Sequence, residues 1–329
     1  MLTDSRGRGV SYLRLSVTDR CNLACLYCGS TPAGFVPHAE ILRYEELLTL
    51  IGIAREIGIA KVRLTGGEPF ARRDFLPFVA RVHQAHPDLD LRITTNATLI
   101  GGLAPLIRQA GVSRLNVSLD SLDRANYERI TGKDELSAVR RAVEECLAAG
   151  LALKINAVAM RGINDAELAA FLALARSAPL DVRFIEFMPM GRDTAFRAER
   201  FWPAPDILAE AQRHADLIPE PPGGPDAGPA KLFRIAGGLG RFGVISPLSD
   251  HFCATCNRLR ITARGNLRTC LFSDREYRLK PLLRHPRLST AAVRRVIELA
   301  LKRKPVGHDL LEKRLGEAVC GTRMSAIGG

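Results

Sequence analysis

The chain has 329 residues, 47% hydrophobic and 25% charged, enough apolar content to bury a large core and too much to stay disordered. No apolar run approaches the ~18 residues of a membrane span, and the start, MLTDSRGRGV, lacks the apolar stretch of a secretory signal; a cytoplasmic protein without a membrane partner is expected. The net charge of +12 favours anionic partners, and without a run of five Lys/Arg or interleaved aromatic and basic residues it points to phosphates on a small molecule rather than nucleic acid.

Short β-rich segments recur along the first half: YLRLSVT (12–18), KVRLTG (61–66), DLRITTN (90–96), RLNVSLD (114–120), LALKINAV (151–158) and VRFIEFM (182–188). Segments with helical apolar spacing lie between them, such as YEELLTLIGIAREIG and SAVRRAVEECLAAG, each closed by a glycine. Connections of this length require crossovers. The expected fold class is therefore α/β, with six strand–helix units forming an incomplete (β/α)6 parallel barrel. After Gly191 the pattern changes, and a boundary near 190 divides the partial barrel (1–190) from a smaller C-terminal α+β portion (191–329) that closes it. That portion holds a Pro/Gly-rich loop (220–230), short strands in KLFRI, GRFGVIS, NRLRITA and GNLRTCLF, and a last helix in STAAVRRVIELALKRK.

Parallel strands covered on both faces read as continuous apolar runs, and these do not. Leu13, Leu15 and Val17 alternate with Arg14, Ser16 and Thr18, while Val62 and Leu64 alternate with Lys61, Arg63 and Thr65. Arg92, Thr94 and Asn96, then Asn116, Ser118 and Asp120, then Lys154 and Asn156 continue the polar face. If helices cover the apolar face, the polar one lines the interior, where unpaired charge is costly. A wet interior holding an anionic ligand follows; a half-exposed sheet whose arginines reach solvent is the alternative.

Eight cysteines in a reducing compartment read as metal ligands or catalytic thiols rather than disulfides. Cys146 occupies an apolar helical position and reads as a buried structural thiol, and Cys320 has no partner in sequence. The other six form two triads, Cys21, Cys25 and Cys28 (CxxxCxxC) and Cys253, Cys256 and Cys270 (CxxC, then Cys after thirteen residues). A cubane is normally held by four thiolates, so three leave one iron open. The first triad follows the first strand, at the strand end where barrels build their sites, and structural zinc would want a fourth ligand nearby. On spacing alone the second triad leaves zinc open, because His251 could complete a Cys₃His site.

CNLACLYC, with Tyr27 as the aromatic before the third cysteine, resembles the radical S-adenosylmethionine enzymes. Joined to TGGEP (65–69), the second triad, CNRLR and a closing Gly-Gly, the pattern is similar over essentially the whole chain to the GTP 3′,8-cyclase family of molybdenum cofactor biosynthesis. The resemblance implies two [4Fe-4S] clusters, with S-adenosyl-L-methionine on the first and GTP at the second. It implies a 5′-deoxyadenosyl radical that takes the 3′ hydrogen of GTP, after which the ribose joins C8 to give (8S)-3′,8-cyclo-7,8-dihydroguanosine 5′-triphosphate. By the same resemblance Tyr27, Gly67, Ser118 and Met188 serve the S-adenosylmethionine site, while Arg63, Thr94, Lys154, Arg258 and Arg260 hold GTP, with Lys61 a further phosphate partner. Arg14 matches the arginine beside the reacting ribose and is the catalytic candidate. The tail GTRMSAIGG is implied to reach into the site. An electron donor and the next enzyme of molybdopterin synthesis are the implied partners, and a homodimer is left open. Two departures stand out: CGS follows the first triad where the family commonly has CMP, and TTNA (94–97) replaces TTNG. The competing functions are a peptide-modifying radical S-adenosylmethionine enzyme with an auxiliary cluster, and a basic metal-binding module for nucleic acid.

Overall fold

The computed structural model describes residues 2–28, 34–191, 196–224, 227–312 and 320–328. Six parallel strands pair in chain order: β1 (Tyr12–Thr18), β2 (Lys61–Gly66), β3 (Asp90–Thr95), β4 (Arg114–Ser118), β5 (Leu153–Ala159) and β6 (Leu180–Glu186). The returning helices are α1 (Tyr44–Glu56), α2 (Phe75–Ala85), α3 (Ala104–Gln109), α4 (Arg124–Thr131), α5 (Leu136–Ala148) and α6 (Leu168–Ser177). Local chemistry sets their ends. In α4, Asp123 accepts from the Asn126 amide at 2.8 Å at the start, and Gly132 takes φ 76° at the finish.

Beyond β6 come α7 (Ala204–His214), β7 (Leu217–Pro219), β8 (Lys231–Ile235), β9 (Arg241–Ile245), β10 (Arg258–Ile261), β11 (Asn266–Arg268), β12 (Tyr277–Arg278), α8 (Lys280–Leu283), α9 (Thr290–Leu301), α10 (Gly307–Glu312) and α11 (Met324–Ile327). These later strands extend the barrel sheet at both flanks, in the order β12-β11-β10-β1-β2-β3-β4-β5-β6-β9-β8-β7. Both β10 against β1 and β9 against β6 pair in parallel. A count of strand–helix units stops at six because neither flanking strand belongs to that repeat. Among the described residues the sheet stays open, yet inner-face residues of β9 and β10 line one cavity, so it curls into an incomplete barrel.

The alternation sorts the two faces as expected. Leu15, Val17, Leu64, Ile93, Val117, Ile155 and Phe184 are fully buried in the core between sheet and helices. Their polar neighbours line the cavity. Strand ends shift by one or two residues: β5 starts at Leu153, and Asn96, Asp120 and Met188 fall just past strands β3, β4 and β6. β6 gains Asp181, a residue that reads as a strand breaker, because Lys154 on β5 and Arg241 on β9 hold its carboxylate at 2.6 and 2.8 Å. No helix of the described residues is long and apolar enough to cross a membrane.

Glu186 ends β6 with no exposed surface and accepts the amides of Ala204 (2.8 Å) and Leu248 (2.8 Å), joining the barrel to two following segments. Removing it strands buried donors, so Glu186→Ala is expected to lower the unfolding free energy by about 3 kcal/mol in denaturant melts, with Glu186→Gln milder. An unchanged midpoint would show that water replaces the carboxylate at no cost.

Candidate active site

The polar faces of the strands form a single row of cations. Strand register places Arg260 beside Arg14, Arg14 beside Arg63, Arg63 beside Arg92 and Arg92 beside Arg114, five arginines on five adjacent strands. They line a cavity of about 1,410 Å³, and the six triad cysteines, Tyr27, Gly67, Ser118, Met188, Thr94, Lys154 and Arg258 line it too. Carboxylates offset only part of the charge. Asp90 holds Arg92 at 2.8 Å, and Asp181 holds Lys154 at 2.6 Å, so Lys154 meets the cavity already paired.

Asn116, with its amide oxygen turned toward them, accepts from Arg63 Nη1 and Arg183 Nη2 at 2.6 Å each. Arg63 Nη1 also lies 3.4 Å from the Thr94 hydroxyl. The Nε atoms of Arg63 and Arg183 are buried with no hydrogen-bond partner among the described residues. Burial and the neighbouring guanidiniums loosen these protons: Arg14 is pushed down to about 10 and Arg183 to about 9, each by burial first and then, among other charges, by Arg63. Burial, then Arg183, brings Lys154 down to about 8. A polyanion entering the cavity would oppose all three shifts, since a nearby negative charge favours the charged form.

The first triad sits on the loop leaving β1. The loop is pinned on one side by α4, where the Ala24 and Leu26 amides each reach the carbonyls of Thr131 and Ile130 at 2.9 Å. On the other side the Gly67 and Glu68 amides reach the carbonyls of Thr18 and Arg20, both at 2.8 Å. Two glycines permit that approach: Gly66 has φ +150°, and a Cβ on Gly67 would stand 2.2 Å from the Arg20 carbonyl oxygen. Tyr27 turns its hydroxyl to Asp120 at 2.6 Å, and Asn96 Nδ2 lies 3.7 Å from Cys21 Sγ. Burial, then Cys28 and Asp120, raises Cys25 well above the ordinary thiol range; burial, then Cys21 and Asp120, lifts Cys28 to about 12. Only the thiolate binds a metal, so a metal held here has to displace protons that burial retains.

In the second triad burial also raises Cys270, but Cys256 lies among cations. Burial pulls Cys256 up, but Arg258 and Lys304 more than offset it and bring the thiol down to about 7. A Cβ on Gly307 would lie 3.1 Å from Cys270 Sγ and 3.3 Å from Cys253 Sγ, so the start of α10 leaves a space between two sulfurs that any side chain would fill. His251 does not join the cysteines; its ring stacks on His308 with centroids 3.8 Å apart. Among the described residues no three His, Cys, Asp or Glu side chains converge as a single ion such as zinc would require.

Two family models cover most of the chain, Radical SAM superfamily over residues 15–175 and Molybdenum Cofactor Synthesis C over residues 180–310. The GTP 3′,8-cyclase of Syntrophomonas wolfei subsp. wolfei is 42% identical over 311 residues, spanning 94% of this chain and 95% of its own length. That of Heliobacterium modesticaldum is 41% identical over 332 residues, with 100% of both chains covered. The chain belongs to the GTP 3′,8-cyclase family. Among solved structures, Streptococcus suis SuiB bound to S-adenosylmethionine shares the fold at a TM-score of 0.62 and 13% identity, covering 97% of this chain and 77% of that one. Membership in the radical S-adenosylmethionine superfamily brings that cofactor and an iron-sulfur cluster with it.

Against the cyclase pattern the departure at residue 97 acquires a cost. Ala97 adopts φ 63°, a left-handed conformation in which the usual glycine is unstrained. Gly29 and Ser30, the other departure, and the final Gly329 lie outside the described residues, while Gly328 offers its carbonyl oxygen to Arg260 Nη1 at 2.8 Å. Sequence reasoning passed over Arg114, Arg183 and Lys304, all of which line the cavity. The alternation that found Arg63 would also have found Arg114 and Arg183. Lys304 follows a helix and carries no such signal.

Gly67→Ala is expected to drive the loop of the first triad away from β2 at a cost of about 2 kcal/mol, seen as a lower melting temperature of the metal-free chain. An unshifted melt would mean that the close approach is not rigid.

Proposed function

We propose that the chain converts GTP to (8S)-3′,8-cyclo-7,8-dihydroguanosine 5′-triphosphate in molybdenum cofactor biosynthesis, using S-adenosyl-L-methionine and two [4Fe-4S] clusters. One observation carries this reading: both cysteine triads and the arginine row open onto the same cavity, in a chain alignable end to end with relatives of that name.

Cys21, Cys25 and Cys28 would hold the first cluster and Cys253, Cys256 and Cys270 the second. When bound, the first cluster supplies the electron that cleaves S-adenosylmethionine to a 5′-deoxyadenosyl radical. Gly67 would bring backbone to the methionine end, with Tyr27, Ser118 and Met188 shaping the rest of that pocket; all four line the cavity. Arg63, Thr94 and Lys154 would hold the triphosphate, and the orphaned Nε donors of Arg63 and Arg183 support an anion there. Planar guanidinium forks suit phosphate oxygens, each charged bond contributing roughly 1.5–3 kcal/mol. Arg258 and Arg260, at alternate positions of β10, share the face beside the second triad. Arg14 stands between Arg260 and Arg63 in the row, where it would meet the ribose and donate a hydrogen bond or atom.

Residues 191–329 supply the second triad and close the barrel's flank in this reading. An electron donor and a downstream enzyme of molybdopterin synthesis are the partners it requires, and a cytoplasmic location suits them.

Anaerobic reconstitution should load about eight irons per chain, and replacing Cys253, Cys256 and Cys270 by Ser should leave about four. The altered chain should still cleave S-adenosylmethionine but make no cyclised nucleotide. About four irons with bound zinc in the unaltered chain would reject the second cluster, and 5′-deoxyadenosine formed equally well without GTP would reject the substrate. Arg14→Ala is expected to slow cyclisation about 100-fold, the scale of losing one transition-state donor, in single-turnover assays. Normal turnover by that variant would remove Arg14 from the chemistry.

A further inference from the structure

The second triad is held by two buried cations that lie outside the cysteine motif. Lys304, 3% exposed, follows α9 and donates from Nζ to the carbonyl oxygens of Cys256 (2.7 Å) and Arg258 (2.9 Å). Arg8, 7% exposed and in the segment before β1, donates from Nη1 to the Cys253 carbonyl at 2.9 Å. Its Nη2 reaches the carbonyls of Lys304 (3.1 Å) and Pro305 (3.2 Å), which ties the two cations into one clamp. Asp4 aims Arg8 by accepting from its Nε at 2.5 Å and from the Arg6 and Arg8 amides at 2.9 and 3.0 Å.

The geometry has two consequences. Carbonyls at Cys253, Cys256 and Arg258 are fixed from behind, so the turn that aims two cysteines and one cavity-facing arginine is set by residues far along the chain. Three residues past Lys304, Gly307 leaves the space beside Cys253 and Cys270, so one short segment both braces the turn and clears room against the sulfurs. The acceptors of Lys304 Nζ are neutral carbonyls, which leaves its positive charge to act on whatever the thiolates hold. Among the described residues the groups pressed against the first triad are instead the carboxyls of Asp120, through Tyr27, and Glu68, through Asn96.

We propose that Lys304, backed by Arg8, is a positioning residue for the second cluster: it fixes the Cys256–Arg258 turn, and its charge makes that cluster easier to reduce. This rests on the two-cluster reading.

The test uses the full chain reconstituted anaerobically, as the parent, Cys253→Ser, Lys304→Met and Lys304→Arg, with iron counting and potentiometric titration followed by electron paramagnetic resonance. A parent holding about eight irons, falling to about four in Cys253→Ser, secures the underlying reading; about four in the parent removes it whatever Lys304 does, and this proposal with it. Lys304→Met is then expected to fall toward about four irons while keeping the first cluster's signal, with any remaining second cluster titrating at a more negative potential. Lys304→Arg should restore most of the iron and the parental potential. Parental iron content and parental potential in Lys304→Met would overturn the proposal. So would loss of both clusters together in Lys304→Met and Lys304→Arg, which would place Lys304 in the general fold.

Discussion

Five guanidinium groups set side by side across a sheet are the constraint on which the rest of this structure depends. Neighbouring strands are ~4.8 Å apart, and like charges directly opposite one another weaken a sheet. The row from Arg260 through Arg14, Arg63 and Arg92 to Arg114 cannot be relieved by sliding one strand by a residue. A slip would turn Leu15, Leu64, Ile93 and Val117 out of the helix-covered core. The apolar face thus holds the cations where electrostatics alone would not leave them. An anion in the cavity is the natural counterweight, and the unmatched Nε atoms of Arg63 and Arg183 mark where its oxygens have partners to gain.

The acidic residues of the interior are placed to keep this charge high without letting it become unbearable. Asp181 sits at the far flank, shared by Lys154 and Arg241, and Asp90 lies at the rim beside Arg92. The two triads divide along the same gradient: Asp120 and Glu68 border the first, whereas Arg258, Arg260 and Lys304 border the second. In one continuous cavity burial pushes the Cys28 thiol up to about 12, whereas at Cys256 the charges of Arg258 and Lys304 outweigh burial and bring the thiol down to about 7.

Much of the site was legible before any coordinates. The period-2 pattern separated Arg14, Arg63 and Lys154 from Leu13, Val62 and Ile155, because a strand has only two faces and the apolar one must be buried. The spacing of Cys21, Cys25 and Cys28 pointed to a loop ligand set, and for the second triad spacing alone left His251 and zinc open. In the fold His251 stacks on His308 rather than joining those cysteines.

By itself, then, the sequence determined the repeat of strand and helix and the facing of each strand. These are local properties, set by side-chain period and by contacts within a few residues. Tertiary structure decided that β9 and β10 join opposite flanks of one sheet, that Asp181 stays inside a strand, and that Lys304 and Arg8 brace a turn 48 and 245 residues away. Those outcomes depend on which distant backbone oxygen or charge a buried cation meets. No periodicity within a segment encodes that meeting, because the burial energy that enforces it is summed over the whole fold.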